Sequence, residues 1–411
     1  MKIDFNAIRV SNKAGSGFDT FIINFVNEFA RYVYSNKLNI DFDVYTLYPQ
    51  HFPEVKKENI KQVKIPFIRQ KSNTYTTNST TTYKTHPHIH SSIPQIAGST
   101  HPLVHLLADY FRMFWTQFIF PFYAKKYDLI VNLTQFEASV FNLEKQVVVV
   151  HDLIPYIFKD QKHKHKFFVY KILPYILRKV KNICAVSVNT KSDLVKILGV
   201  KENKIVVIYE SVDKNIEIYS KQNFELEKNL LLSGINIGRY ILFVGSCDKR
   251  KNLENVIKAF DIVCKREKNL YLVVVGFLNE NNKRYYKKII KNFNKIKILG
   301  HISIKELVIL YKNAELFLFP TLYEGFGLPP LEAMACGCPV VVSDKGSLPE
   351  VCGDAAVYVN PYDPQSIAEG ILKVLTGENL RQNLIQKGYQ QVKKFSWEQT
   401  VKKFLEVLNC K

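Results

Sequence analysis

The sequence predicts an α/β protein made of two doubly wound, parallel-sheet domains facing each other across a cleft. Three observations carry that prediction. A chain of 411 residues is too long for one ordinary hydrophobic core. Strand-like and helix-like runs alternate through the first half, stop at a polar, irregular stretch near residues 213–238, and then begin again. Several strand candidates, among them "QVVVVHDL" and "LYLVVVG", are unbroken β-branched runs of the kind buried on both faces of a parallel sheet.

In order along the first half, "MKIDFNAIRV" reads as a strand, and "GSGFDTFIINFVNEFARYVYS" as a glycine turn feeding an amphipathic helix. "DFDVYTLY" is again a strand. Arg69–Thr100 is polar, rich in Thr and His and without periodicity, which predicts a long loop. Its histidines at 86, 88 and 90 fit no common metal spacing, and no metal site is expected. "PLVHLLADYFRMFWTQFIFPFYAKKY" is helical and aromatic-rich. The strands "DLIVNLT", "QVVVVHDL", "KNICAVS" and "NKIVVIYESVD" complete a sheet. Between the last two lies the helix "TKSDLVKILG", with Thr190 or Ser192 as its cap and Gly199 as its stop.

The second half repeats the scheme. Strands "RYILFVGS", "LYLVVVG", "IKILG", "LFLFPT" and "PVVVS" alternate with helices "NLENVIKAFDIVCKR", "NKRYYKKIIKNF" and "SIKELVILYKNA". The predicted division is a first domain over 1–225, a second over 226–393, and a terminal helix over 394–411 that returns toward the first domain.

Composition is that of a soluble globular protein, 47% hydrophobic and 23% charged. The opening residues are too polar for a signal peptide, and no run reaches the roughly 18–20 apolar residues of a spanning helix. The seven cysteines (184, 247, 264, 336, 338, 352 and 410) show no paired zinc spacing and read as reduced thiols of a cytoplasmic protein. A net charge of +20 admits nucleic acid, an anionic membrane or acidic substrates as partners. Lys159–Lys181 mixes lysines with Phe167, Phe168, Ile172, Leu173, Ile176 and Leu177 at helical spacing. Two readings stand for it: a surface helix with one core face, or a basic amphipathic helix lying in a headgroup layer.

The chemistry concentrates in "LYEGFGLPPLEAMACGCPVVVSD", Leu322–Asp344. Glu324 follows a strand, so it belongs at that strand's carboxyl end, where open α/β sheets bind ligands. Gly325 and Gly327 let the backbone turn tightly and approach a ligand. Pro329 and Pro330 suit the first turn of a helix, which places Glu332 in that turn as well. The helix amino end is an anion site, and a carboxylate there suits a ribose diol. Glu332 taken alone is equally a residue that complements the helix dipole. "FVGSCDKRKNLENV" sets Arg250 and Lys251 at another strand end, where cations neutralise a leaving phosphate. "VVVVHDLIPY" puts His151 at a strand end of the first domain, and Gly15 and Gly17 precede that domain's first helix.

With these residues in place, the sequence resembles the retaining glycosyltransferases of family 4, whose GT-B fold pairs two Rossmann-like domains. The resemblance covers nearly the whole chain. It rests on the pair Glu324 and Glu332 in an "EGFGLPxLEAMAxGxPVV" context, on "FVGSCDKRKN", "HDLIPY", "AVSVNTKSDL" and "LPEVCGDAAVYVNP", and on the terminal "FSWEQTVKKFLEVL". It implies that Glu324 touches the transferred sugar and that Phe326, Gly327 and Leu328 contact sugar and phosphate through backbone N–H groups. It implies further that Glu332 binds the ribose and that Arg250 and Lys251 hold the diphosphate, with the first domain taking the acceptor and the second the nucleotide sugar, and that His151 sits near the sugar's 6-position and the reacting centre, catalytic together with Glu324 and Lys251. His301 and Ile302 would border the base. The loop Arg69–Thr100 has no fixed family counterpart, and Ser246–Lys249 stands where the family often has a proline before Arg-Lys.

The expected activity is metal-independent hexosyl transfer, without a cofactor, from a nucleotide sugar such as GDP-mannose. The expected acceptor is a growing glycan or a lipid-linked sugar, met by a cytoplasmic enzyme docked on the inner face of a membrane. The rival of a different class is a non-catalytic, basic two-domain scaffold for membrane or nucleic acid, with nucleic acid the less favoured of its partners. A phosphorylase would call for a lysine suited to pyridoxal phosphate and a longer chain. Donor, acceptor, linkage and oligomeric state are not written in these motifs.

Overall fold

The computed structural model describes residues 1–11, 17–63, 110–159, 165–235, 237–245, 248–278, 280–290 and 292–409. The whole of the loop Arg69–Thr100 with its histidines, together with Gly15, Ser246, Cys247 and Cys410, lies outside the described residues.

Two parallel sheets organise the chain. The first runs β3-β2-β1-β4-β5-β6-β7. Its strands are β1 (Lys2–Asn6), β2 (Asp41–Thr46), β3 (Ile60–Gln62), β4 (Leu129–Asn132), β5 (Gln146–Val150), β6 (Asn182–Ala185) and β7 (Ile205–Val207). The second runs β10-β9-β8-β11-β12-β13. Its strands are β8 (Arg239–Val244), β9 (Leu270–Val275), β10 (Ile296–Gly300), β11 (Leu316–Phe319), β12 (Val340–Ser343) and β13 (Ala356–Val359). The strand order reverses between β1 and β4 and again between β8 and β11, and the crevice at such a reversal is where doubly wound sheets take ligands. The unbroken apolar runs are buried throughout: Val147 to Val150 and Leu316 to Phe319 are essentially inaccessible.

Several local expectations are corrected. The helix Val188–Leu198 is capped by Ser187, whose side chain accepts from the Thr190 N–H, one turn earlier than Thr190 or Ser192 would act. Its stop is Gly199, in the left-handed region at φ 64°. The stretch 213–238 is not irregular, because helices Lys214–Ser220 and Glu225–Ile235 occupy most of it. Ile216 turns inward, and the half-buried Asp213 and Lys214 bond to Asn24 and Glu28 of helix Gly17–Ser35. In the basic block, Phe168, Leu173, Ile176 and Leu177 pack into the core as their spacing indicated, but Phe167 points outward and is 72% exposed. Among the described residues no helix is long and apolar enough to cross a membrane.

The terminal helix Trp397–Asn409 packs on helix Gly17–Ser35 of the first domain. Phe404 sits 5.2 Å from Phe25 and 6.1 Å from Phe29 between ring centroids, and Trp397 donates its indole N–H to the Val212 carbonyl. Cys184, Cys264, Cys336, Cys338 and Cys352 are buried free thiols. Burial pushes each of them up, Cys264 to about 11 and Cys336 to about 12, so they are packing residues rather than nucleophiles.

Candidate active site

The site forms where the loops after β8 and β11 meet the loops after β5 and β6. Beyond β8, Asp248 caps a short turn over Lys249–Lys251 by accepting from the Arg250 N–H. That turn aims both cations at one carboxylate. Glu324 Oε1 accepts from an Arg250 guanidinium nitrogen at 2.7 Å and from Lys251 Nζ at 2.9 Å. All three side chains are nearly buried, 11–15% exposed. Lys251 also lies over the Phe319 ring, 4.7 Å from its centroid. Burial holds the Lys251 ammonium pKa below its usual range, against the pull of Glu324. The Arg250 Nε makes no hydrogen bond, and Asp248 stands 3.8 Å from it. Two cations thus converge on Glu324, with Asp248 also paired to Arg250, and both can turn N–H donors to an anionic ligand.

The Glu324 loop is held from behind. Ser347 Oγ donates to the Glu324 carbonyl at 3.1 Å and also to that of Phe326. Gly327 takes φ 111°, and a β-carbon there would stand 2.7 Å from Leu348. The helix Leu328–Ala335 therefore begins at Leu328. This moves Glu332 to its fifth residue, in the second turn rather than the first, because the positive-φ glycine leaves no helical residue before Leu328. Glu332 accepts from the Tyr311 hydroxyl at 3.1 Å. Burial pushes its carboxyl up to about 7, with the Tyr311 hydrogen bond acting the other way. Phe326 is buried, its ring 5.6 Å from Phe395 and 6.1 Å from Tyr209. Phe326, Gly327 and Leu328 thus meet Glu324 in one loop.

The first domain closes on this loop. A β-carbon at Gly325 would lie 1.9 Å from the His151 carbonyl oxygen, so the two backbones touch. Ser187 donates to the Gly325 carbonyl at 2.6 Å. Glu350 accepts from the free N–H groups of Val188 and Asn189 at 2.8 and 3.1 Å, capping one domain's helix with the other domain's carboxylate. Tyr323 donates to Asp193 at 2.7 Å. His151 is buried, and both ring nitrogens are engaged, Nδ1 with Glu210 at 2.9 Å and Nε2 with the Leu133 carbonyl at 3.0 Å. A nitrogen facing a carbonyl must carry hydrogen, so Nε2–H donates to Leu133 and a proton lies between Nδ1 and Glu210. What His151 turns toward Gly325 is therefore its backbone carbonyl rather than its ring.

Gly17 opens the helix Gly17–Ser35 with free space around it, and the next ring, Phe18, lies 4.9 Å from the His151 ring. His301, exposed, and Ile302, partly buried against the core, follow β10. They lie at the same carboxyl edge of the second sheet but two strands from β8. Sequence reasoning missed Glu210, Asp152 and Tyr311. Asp152 borders the Glu324 loop, and burial pushes its carboxyl up, against the Ile154 N–H and Arg250. Glu210 and Asp152 both stand just past strand ends, and weighing every acid in that position would have found them. No local signal marks Tyr311, which reaches Glu332 from the neighbouring helix Ile304–Asn313.

Residues 235–391 match the family model described as glycosyl transferases group 1. The chain is 29% identical over 260 residues to O-antigen chain mannosyltransferase B of Escherichia coli, covering 62% of this chain and 68% of that one. It is 28% identical over 267 residues to the serotype-specific mannosyltransferase WbdA of Escherichia coli, of which it spans only 32%. Its fold superposes along the full length of both chains on HepE from Anabaena, solved with UDP and glucose, at a TM-score of 0.67 and 17% identity. Two facing parallel sheets of this kind are the GT-B architecture, which the chain shares with that structure, and the match to the group 1 glycosyltransferase model lies on residues 235–391, the second sheet and its helices.

Proposed function

We propose that the chain transfers a hexose, with retained anomeric configuration and without a metal ion, from a GDP-mannose-type donor to a growing glycan or lipid-linked acceptor in polysaccharide assembly, at the inner face of a membrane. The observation that carries this reading is the convergence of Arg250 and Lys251 on Glu324, beside the amino end of helix Leu328–Ala335. The mannosyltransferase names of the relatives support the choice of sugar.

In this reading Arg250 and Lys251 draw the donor diphosphate, and Glu324 accepts hydroxyls of the sugar. The backbone of Phe326, Gly327 and Leu328 meets sugar and phosphate, Glu332 takes the ribose hydroxyls, and His301 and Ile302 border the base. Gly15 and Gly17 border the phosphates from the first domain. The bond from the sugar's C1 to the phosphate oxygen breaks, and its electron pair leaves with the nucleoside diphosphate. The acceptor oxygen attacks C1 from the same face, and its proton passes to the departing phosphate. The two cations and the helix terminus stabilise the leaving charge, a role otherwise given to a metal. The backbone carbonyl of His151 bears on Gly325 and so positions the Glu324 loop, whose Gly325 carbonyl is held by Ser187 and Thr190.

The test is a thermal-shift screen of nucleotide sugars followed by transfer to candidate acceptors. Transfer is expected with one donor and lost in Lys251→Ala and Glu324→Ala. Full transfer by both variants would refute the site, and an inverted anomeric carbon in the product by NMR would refute the mechanism. The membrane clause is tested by flotation with anionic vesicles, where salt-sensitive binding is expected and failure to float at any salt removes that clause.

A further inference from the structure

The first domain sets a carboxylate of its own against the Glu324 loop. Asp152 follows His151 just past β5, at the carboxyl edge of the first sheet. Its β-carbon stands 3.0 Å from where one on Gly325 would lie, and Gly325 is the neighbour of Glu324. Its carbonyl accepts from the Gln135 side chain at 3.2 Å, which pins the backbone. The carboxylate is held by one oxygen only. Oδ1 accepts from the Ile154 N–H at 3.0 Å, and among the described residues nothing donates to Oδ2.

A turn of this kind is satisfied by any short side-chain oxygen, and Asn or Ser would serve it. The turn therefore leaves the choice of an acid unexplained, and the acid carries a cost. Asp152 is half-buried. Burial pushes its carboxyl up, against the pull of the Ile154 N–H and of Arg250, and Glu324 adds to the push. Arg250 and Glu324 belong to the second domain, so the Asp152 charge is felt by their cluster across the cleft. A partly desolvated carboxylate with an idle oxygen, placed in a cleft, marks a ligand-binding position.

The surroundings select the ligand. Beside Glu324, a further carboxylate repels a phosphate, whereas a sugar hydroxyl can donate to it. The Tyr323 hydroxyl, which also feels the Asp152 charge, is committed to Asp193 at 2.7 Å and does not compete.

We propose that Asp152 Oδ2 accepts a hydrogen bond from one hydroxyl of the transferred sugar and thereby helps to choose that sugar. Glu324 grips the sugar from the second domain and Asp152 from the first, so the full set of contacts exists only where the domains meet. Asp152 binds and orients, and no proton or covalent bond passes to it. The inference rests on the reading of the Glu324 cluster as a donor-sugar site and names a further residue for it.

The test is calorimetric titration of the full chain with GDP, with GDP-mannose, and with the 2-, 3-, 4- and 6-deoxy forms of GDP-mannose. Asp152→Ser keeps an oxygen for the Ile154 N–H and removes the reaching one. It is expected to weaken GDP-mannose about tenfold and to leave GDP unchanged. One deoxy donor, the one lacking the hydroxyl that meets Asp152, is expected to bind Asp152→Ser as it binds wild type, while the other three keep the tenfold difference. Asp152→Asn, which keeps the shape and the Ile154 bond but loses the charge, gives an intermediate loss. A difference that is the same for all four deoxy donors, or GDP weakened as much as GDP-mannose, reduces Asp152 to a loop-shaping residue and overturns the proposal alone. GDP-mannose that fails to bind wild type, or that binds Lys251→Ala undiminished, overturns the donor-site reading and this inference with it.

Discussion

Gly325 and His151 touch through their backbones, and any side chain at 325 would occupy the place of the His151 carbonyl oxygen, 1.9 Å from a β-carbon. The contact joins residues from different sheets and sits one position from Glu324. Gly325→Ala must therefore part the domains or shift the loop. The expected result is a loss in kcat of about a hundredfold, the usual consequence of displacing a reacting group by about 1 Å. Nucleotide affinity, which the proposed function assigns to the second domain, should change far less. Separate measurement of kcat and of nucleotide binding checks this, and equal losses in both would contradict it.

Glu324 is the counterion of two nearly buried cations. Glu324→Gln keeps the shape but takes from Lys251 its carboxylate hydrogen-bond partner and leaves Arg250 only Asp248 at 3.8 Å, at a cost of about 3 kcal/mol. A nucleoside diphosphate that reaches Arg250 and Lys251 restores the balance. The thermal shift produced by GDP should therefore be larger in the variant than in wild type, although sugar transfer is lost. A smaller shift in the variant would mean that the cations do not meet the diphosphate.

Burial pushes Glu332 up to about 7. A carboxylate accepts both hydroxyls of a ribose, whereas its protonated form offers less, so donor affinity should fall as pH drops below about 7. The limit is about tenfold per pH unit. For stability the sign is opposite. The folded state binds this proton more tightly than the unfolded chain, so the contribution of Glu332 declines as pH rises from the ordinary carboxyl range through about 7. Glu332→Gln should flatten both profiles between pH 5 and 8. Donor titrations and thermal melts across that range test the two signs independently.

Asp4 lies within β1, fully buried, opposite Asp43 of β2, and neither of its oxygens has a hydrogen-bond partner. Burial, with Asp43 beside it, pushes its carboxyl well above the usual range. The folded state therefore holds that proton, and stability is lost as pH climbs from the unfolded value of about 3.9 toward the raised one. Asp4→Asn should stabilise the protein at pH 8 by about 1–3 kcal/mol and have little effect near pH 3. A melting curve equally shifted at both values would rule out a charge effect.

The fold was legible because parallel strands buried on both faces leave continuous apolar runs, and amphipathic helices leave a 3.6-residue period. The Glu324 loop was legible for a related reason. Gly325, Gly327, Pro329 and Pro330 are local backbone requirements, and local requirements are written in consecutive residues. Even there one step was lost: the φ of 111° at Gly327 starts the helix at Leu328 and carries Glu332 into the second turn.

What only the tertiary structure decided are pairings between residues far apart in the chain. Lys251 and Glu324 are separated by 73 positions, Val188 and Glu350 by 162. The partner of His151 is Glu210, 59 residues on, and Phe167 faces outward although its spacing placed it with the core. Periodicity tells a residue which side of its own element it occupies. Which foreign element meets that side depends on how two sheets and their loops pack, and no short window of sequence holds that information.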